Sequence, residues 1–543
     1  MPGKKKKVSK RIILRKKIKQ IKTEYIILSI ILLLNFLIRW YNINNLSGLE
    51  EDEISWAVTS LFDQFNIPSY KVGVWSLIYG LSKTFPVSIK LNQLSFILFG
   101  YDLLSPKKLL VFINIIILFC FYVFLRIFFK KATSLFVLIL YSFSYFKLTT
   151  SMIAIQPAFI ELFLYPSLIF FSHTLNPKEQ SSKKTILFSI LASIFLLLTI
   201  FTYNLAFSMP FIFILLFLFQ AKINKKRRKI ILISLGIFLI PFLILSPVLY
   251  RSVKKEFLGK SYAFKKSVIS ISDKQLTINL GNFTKNSTEI FKLMFFKMNK
   301  KTSDMLVNTK SSLIDPFIAL LFITGLLIGL KNYKKYFLFI SWLLLGALPY
   351  HLIQGLYLPR MWLVSYPLFY LFAAITIEHS FIILLKKSQL KKIILTLCFI
   401  LIFIIYSLYH FLVLKTQAYK NPAYKDKYKE LAEISKNHGS SLVIDTWFIT
   451  TDSTTSFTQM IVSFYYLSSD LSHSQEFNAI DKNKLGVLTF NDLKKRKSIT
   501  KKKIVIIESE ISSEVKKQLK LKGIDLQKNQ EFEYFNEYQL INE

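Results

Sequence analysis

Cysteine is almost missing: the 543 residues hold two, Cys120 and Cys398, both inside apolar runs. That excludes a disulfide framework and a cysteine-based metal site. Acid is scarce as well, with 32 Asp plus Glu against 71 Lys plus Arg and a formal net charge of +39. No small-residue cleavage site follows the apolar stretch at 25–39, so the start reads as a first membrane helix behind a basic tail and not as a cleaved signal peptide. Internal repeats are missing too, which argues against a transporter built from two similar halves.

What is present is apolar. Hydrophobic residues make up 52% of the chain, with 52 Phe, and they come in long blocks. Runs of about 18 or more residues with few charges are candidate membrane spans. Such runs recur from the first 50 residues to about residue 414, which excludes a soluble enzyme, a disordered chain and a small secreted scaffold. The positive balance would ordinarily suggest a nucleic-acid partner. Here the Lys and Arg punctuate the apolar runs, as in KINKKRRK at 222–229 and KKSQLKK at 386–392. A basic surface split among loops fits the retention of positive charge on the cytoplasmic side, and no nucleic-acid partner is expected.

At about 20 residues per span, the sequence predicts helices near 24–41, 108–128, 132–147, 153–173, 185–203, 205–221, 229–249, 313–330, 335–353, 361–383 and 393–413. The stretch 185–221 can be one kinked hairpin or two short spans around Tyr203-Asn204. Domains follow from this ruler: a transmembrane domain at 1–414, with outside loops at 42–107 and 250–312, and a C-terminal domain at 415–543. A basic cytoplasmic N-terminus and about eleven spans put that tail outside the cell membrane. The tail alternates amphipathic helix patterns near 424–437 and 512–520 with β-type runs at 441–445, 486–490 and 503–508. It reads as a small α/β domain.

The sharpest local signal is SGLEEDEISWAV at 47–58, where Glu50, Glu51, Asp52 and Glu53 follow the first span. Four adjacent acids repel one another unless they meet a cation, a metal or a proton. A carboxylate there can serve as general base toward an acceptor hydroxyl or amine, hold a divalent ion, or simply solvate a loop. Glu161 lies within an apolar run, where an acid is by default a functional candidate. Its structural reading is a pair with Lys147 or a tyrosine. His351, at a helix end, reads as a capping or core residue, and the sequons at Asn282 and Asn286 receive no role.

An Asp-Glu pair just beyond the first membrane helix resembles the signature of the GT-C glycosyltransferases, especially family 39, which includes protein O-mannosyltransferases and aminoarabinose lipid A transferases. Three further stretches are similar, in order, to that family: LNQLSFILFGYDLLSPKKLLVFIN (91–114), SMIAIQPAFIELFLYPSLIFF (151–171) and ALPYHLIQGLYLPRMWLVSYPLFYLFA (347–373). Together they cover roughly residues 20–415. The resemblance implies a polytopic α-helical membrane protein of the GT-C type, placed in the plasma (inner) membrane. It implies transfer of a sugar from a polyprenyl-phosphate donor to an acceptor lipid, glycan or protein on the outer face.

On that resemblance Asp52 is the catalytic base, with Glu53 alongside it, and a divalent metal ion at these two acids is the one cofactor to consider. Arg360 matches the family's late arginine and would contact the donor phosphate, for which a planar guanidinium is suited; its bland alternative is a snorkelling anchor. Lys71 stands near the family's His-Pro or Lys-Pro position, but YKVGVWSLIYG (70–80) lacks the proline. Glu161 falls where the family more commonly has Asp and would line the substrate site. A transporter or flippase, and a surface-polysaccharide polymerase or ligase, are the competing readings; the polar signal in the outside loop favours an interfacial enzyme.

Overall fold

The structure is a computed structural model. It describes residues 3–43, 56–57, 60, 86–100, 102, 104–175, 181–203, 206, 208–247, 269–272, 275–278, 284, 288, 314–347, 366–385, 401, 405–406, 408–409, 412, 442–444, 504–507, 524–531 and 536–542. The chain divides into two compact units, one of residues 1–44 and 107–417, the other of residues 45–106 and 418–543.

The first unit is helical because its apolar runs leave the backbone no partner but itself. In chain order it contains α1 (Gly3–Asn42), most of α3 (Ser105–Phe128), α4 (Lys131–Ser142) and the short α5 (Tyr145–Thr150). A 3-10 turn at Gln156–Phe159 leads into α6 (Ile160–Leu175). Then come α7 (Ser182–Thr202), α8 (Met209–Ile223) and α9 (Arg228–Ile244). After them stand α10 (Pro316–Lys331), α11 (Tyr333–Ser341), a π-helical turn at Trp342–Ala347 and α12 (Tyr366–Leu385).

Among the described residues four helical stretches are long and apolar enough to cross a membrane: Thr23–Asn42, Ser105–Phe128, Gln156–Leu175 and Ser182–Thr202. Their outward faces stay apolar, with Ile26 59%, Leu33 57% and Ile116 52% exposed, while Asn35, Asn114 and Ser193 are fully buried. Apolar outside and polar inside is the arrangement a bilayer selects. The protein is a membrane protein.

One expected span differs from the sequence ruler, and one open alternative is decided. The single span expected at 132–147 is broken, because Ser144 leaves the helix (φ −63°, ψ 144°) and caps α5, its hydroxyl accepting from the Lys147 N–H. The uncertain stretch at 185–221 is two helices, since Tyr203 is fully extended (φ −165°, ψ 153°) and ends α7.

Polar pairs set the packing order. On α1, Glu24 accepts from Tyr122 and from Arg126 (3.1 Å), and Lys131 lies 2.5 Å away. Asn35 reaches Ser142 of α4 at 3.2 Å. These contacts make α4 parallel to α1 and α3 antiparallel to it. Serines tie α7 to its neighbours: Ser167 of α6 donates to the Ala192 carbonyl (2.8 Å), Ser189 to Ser234 (2.6 Å) and Ser193 to Phe238 (2.8 Å). The last two advance together along both helices, so α7 and α9 run parallel. At the α10–α12 crossing Gly325 lets the backbones touch: a Cβ there would lie 1.8 Å from the Phe372 carbonyl oxygen. Thr376 donates to the Leu321 carbonyl (2.7 Å) at the same crossing, and Gly325 with Gly329 forms the small-residue spacing that brings membrane helices close. A short antiparallel hairpin, β1 (Ile269–Ser272) with β2 (Gln275–Ile278), falls in the expected 250–312 loop.

The second unit holds α2 (Pro86–Phe99), closed by Gly100 at φ 80°, whose N–H bonds the Phe96 carbonyl at 2.9 Å. Among the described residues it also holds four strands: β3 (Leu442–Ile444), β4 (Ile504–Ile507), β5 (Ile524–Glu531) and β6 (Asn536–Asn542). They form one sheet in the order β3-β4-β6-β5, with β3 parallel to β4 and the other pairs antiparallel. Two expected β runs, 441–445 and 503–508, thus contain strands, and 486–490 lies outside the described residues.

Candidate functional site: a buried charge cluster at the end of the first span

The last turns of α1 carry Asn35 and Arg39 into the protein, both fully buried. Four residues apart, they share one face of the helix. The Arg39 guanidinium donates through Nε to Ser151 Oγ (2.6 Å) and through one terminal nitrogen to the Asn35 side-chain oxygen (2.5 Å) and Asn35 carbonyl (3.2 Å). Its other terminal nitrogen donates to the Ser142 carbonyl (3.0 Å). Ser142 and Ser151 bracket α5, the turn made by the Ser144 cap. That short helix exists because one extended, capping serine interrupts an apolar run, and the residues flanking it present two acceptors to Arg39.

Lys147 sits on α5 at 2% exposure, and Glu161 opens α6 at 1%. They form a buried ion pair: Lys147 Nζ donates to Glu161 Oε2. The other carboxylate oxygen accepts from the Tyr141 hydroxyl and from Tyr165 (3.3 Å). Tyr141 and Tyr165 also meet each other at 3.1 Å. Asn114 of α3 donates to the Ser151 carbonyl at 3.2 Å, and its own side-chain oxygen is buried with no hydrogen-bond partner. A tyrosine row, Tyr366 to Tyr370 (2.9 Å) and Tyr370 to Tyr406 (3.3 Å), continues from α12.

Two buried cations, Arg39 and Lys147, therefore face one buried carboxylate, Glu161. Every hydrogen-bond acceptor that Arg39 uses is neutral. Desolvating a charge is costly unless it is paired and saturated with hydrogen bonds, and this cluster answers with dense bonding at a single place. Chemically it can fix the end of α1 against α4, α5 and α6, and it keeps positive potential there.

Of the site residues expected from sequence, Glu161 is described, held by Lys147, Tyr141 and Tyr165. Asp52, Glu53, Lys71 and Arg360 lie outside the described residues, as does His351. Among the described residues no group of three His, Cys, Asp or Glu side chains could hold a metal ion. Arg39 and Asn35 were not foreseen. The signal was available, since an arginine inside the first apolar run is an intramembrane charge, but at a span's end it reads as an ordinary anchor.

No family model matches this chain, and no curated protein matches it. Solved structures do match. ArnT from Cupriavidus metallidurans bound to undecaprenyl phosphate aligns with a TM-score of 0.56 at 7% identity, covering 94% of this chain and 97% of that one. The same protein in the apo state aligns with a TM-score of 0.54 at 9% identity over the same shares. The chain shares the fold of that membrane protein over nearly its whole length.

Proposed function

We propose that the protein is a membrane glycosyltransferase that moves a sugar from a polyprenyl-phosphate-linked donor to an acceptor on the outer membrane face. The observation that carries this reading is end-to-end likeness in fold, over 94% of this chain, to a protein solved with undecaprenyl phosphate bound. The placement of four acids, Glu50 to Glu53, directly after the first span supports it. So does the buried cluster of Arg39, Lys147 and Glu161 at the end of that same span.

In this reading about eleven spans place the N-terminus in the cytoplasm and residues 415–543 outside as an α/β domain, in the plasma membrane. The acceptor hydroxyl or amine attacks the anomeric carbon. Asp52 takes its proton, the bond from sugar to lipid phosphate breaks, and configuration inverts. Glu53 supports the base or shares a divalent ion with it. Arg360 and Lys71 neutralise the departing phosphate, a task for which a two-pronged guanidinium is suited. Glu161 holds Lys147 in place near the substrate.

The test is incubation of purified protein with a panel of polyprenyl-phosphate sugars, scored for transfer or release of sugar. Turnover of at least one donor, cut by about two orders of magnitude or more in Asp52→Asn, is the expected result. Absence of turnover and of donor binding across the panel would remove the reading.

A further inference from the structure

The sequence contains no Asp or Glu between Glu179 and Glu256, and within that span the fold gathers cations at one end of the bundle. Helix α7 begins Ser182-Lys183-Lys184, and α8 ends with Lys222 in its last turn. The 3-10 turn Lys225–Arg227 follows, and α9 opens on Arg228-Lys229. Because α7 and α9 run parallel through the Ser189 and Ser193 bonds, their first turns lie side by side. Arg227 closes the join by donating to the buried Thr185 hydroxyl at 3.1 Å.

The arrangement runs against local preference. Helix N-termini favour acids, because the unpaired N–H groups and the helix dipole are positive there. Neither α7 nor α9 has an acid in its first turn, and both place two cations there. Among the described residues no ion pair joins Lys183, Lys184, Lys222, Lys225, Lys226, Arg228 or Lys229 to a carboxylate, and all seven are exposed. Solvent screens part of that repulsion, and an outside anion seated between the two helix starts would relieve the rest. One helical turn further on, both helices turn apolar side chains outward, with Leu187 51% exposed on α7 and Leu232 39% and Ile233 44% exposed on α9. The occupant that complements this surface is anionic at one end and apolar along the rest.

We propose that this basic end is a binding site for anionic phospholipid, with the phosphate-bearing headgroup held by the α7 and α9 first turns and the intervening loop, and the acyl chains along the exposed faces of the two helices. The inference stands apart from the transferase reading, since it uses none of its residues. Arg227 acts as the brace that fixes the two helix starts, and the lysines supply the charge.

The test compares the full-length protein in phosphatidylcholine vesicles and in vesicles with roughly 30 mol % phosphatidylglycerol, read as apparent Tm at one scan rate. The expected result is a rise of about 3 °C or more with phosphatidylglycerol. The Lys225→Gln/Lys226→Gln/Lys229→Gln variant should lose that rise, and the matched Lys→Arg triple should keep it. Equal Tm in both vesicles, or a full rise in the Gln triple, would overturn the proposal. Inorganic phosphate giving the same rise would also overturn it, by making the ligand a free anion. Native mass spectrometry of the wild type covers the case of a Gln triple that does not fold: preferential retention of phosphatidylglycerol over phosphatidylcholine supports the site, and equal retention refutes it.

Discussion

Alanine at Gly325 should separate α10 from α12. A Cβ at that position would stand 1.8 Å from the Phe372 carbonyl oxygen, whereas real Cβ contacts essentially never fall under 3.0 Å. The obstacle is backbone, so no rotamer change relieves it, and the helices must part by about 1.2 Å. Parting them loosens the Phe322–Phe369 and Phe322–Phe372 contacts at 5.1 and 5.5 Å and stretches the 2.7 Å bond from Thr376 to Leu321. Overpacking costs about 1–3 kcal/mol, and a weakened interhelical hydrogen bond adds about 0.6 kcal/mol. Alanine returns about 1 kcal/mol of helix propensity. The net loss is about 1–3 kcal/mol. Gly329→Ala is the built-in control: its Cβ would meet only side-chain ends, Phe372 Cε1 at 3.3 Å and Ile375 Cδ1 at 3.4 Å, which can move. Thermal unfolding in one detergent should lower Tm by about 2 °C or more for Gly325→Ala and leave Gly329→Ala near wild type. Equal stability of the two variants would refute the close crossing.

Three further outcomes are expected. Glu161→Gln strands Lys147 as a buried unpaired cation and should cost about 3–5 kcal/mol, while Glu161→Gln/Lys147→Met recovers most of it; a double variant as unstable as the single, by thermal unfolding, would contradict the pair. Arg360→Lys keeps the charge but loses the planar fork, so affinity for a polyprenyl-phosphate sugar should fall, and further in Arg360→Ala; wild-type affinity in Arg360→Ala would remove the phosphate assignment. Asp52→Asn should keep expression and donor binding while turnover drops by about two orders of magnitude or more; normal turnover there, with collapse in Glu51→Gln or Glu53→Gln, would move the base to that neighbour.

The sequence was most legible where one physical constraint dominates. Hydrophobic length alone located the spans at 24–41 and 108–128, because within lipid nothing competes with helix formation. Where a polar side chain offers the backbone an alternative, length misleads: Ser144 stops one helix and starts another inside a run that reads as continuous. Glu161 was recognisable as an intramembrane acid, and Lys147 and a tyrosine as its natural partners, since so few groups nearby could neutralise it. Arg39 was not, because burial of an arginine at a span's end depends on Ser142 and Ser151, more than 100 residues away in sequence. Proximity of that kind has no local trace. The acids at 50–53, Lys71 and Arg360 rest on pattern and resemblance alone.

The long reach of Arg39 bears on how the protein is made. Its Nε partner, Ser151, lies 112 residues downstream, and the Ser142 carbonyl 103 residues downstream. At about 5–20 residues per second, the nascent first helix waits roughly 5–20 s before either exists. During that interval Asn35, four residues earlier on the same helix, is the acceptor Arg39 brings with it, through both its side-chain oxygen and its carbonyl. Asn35 is thus placed to accompany the charge during insertion. Asn35→Leu would raise the apolarity of the span yet remove the side-chain half of that early partnership, leaving the carbonyl; a glycosylation-tag insertion assay should therefore show no gain in insertion from the added hydrophobicity, and a clear gain would refute the role.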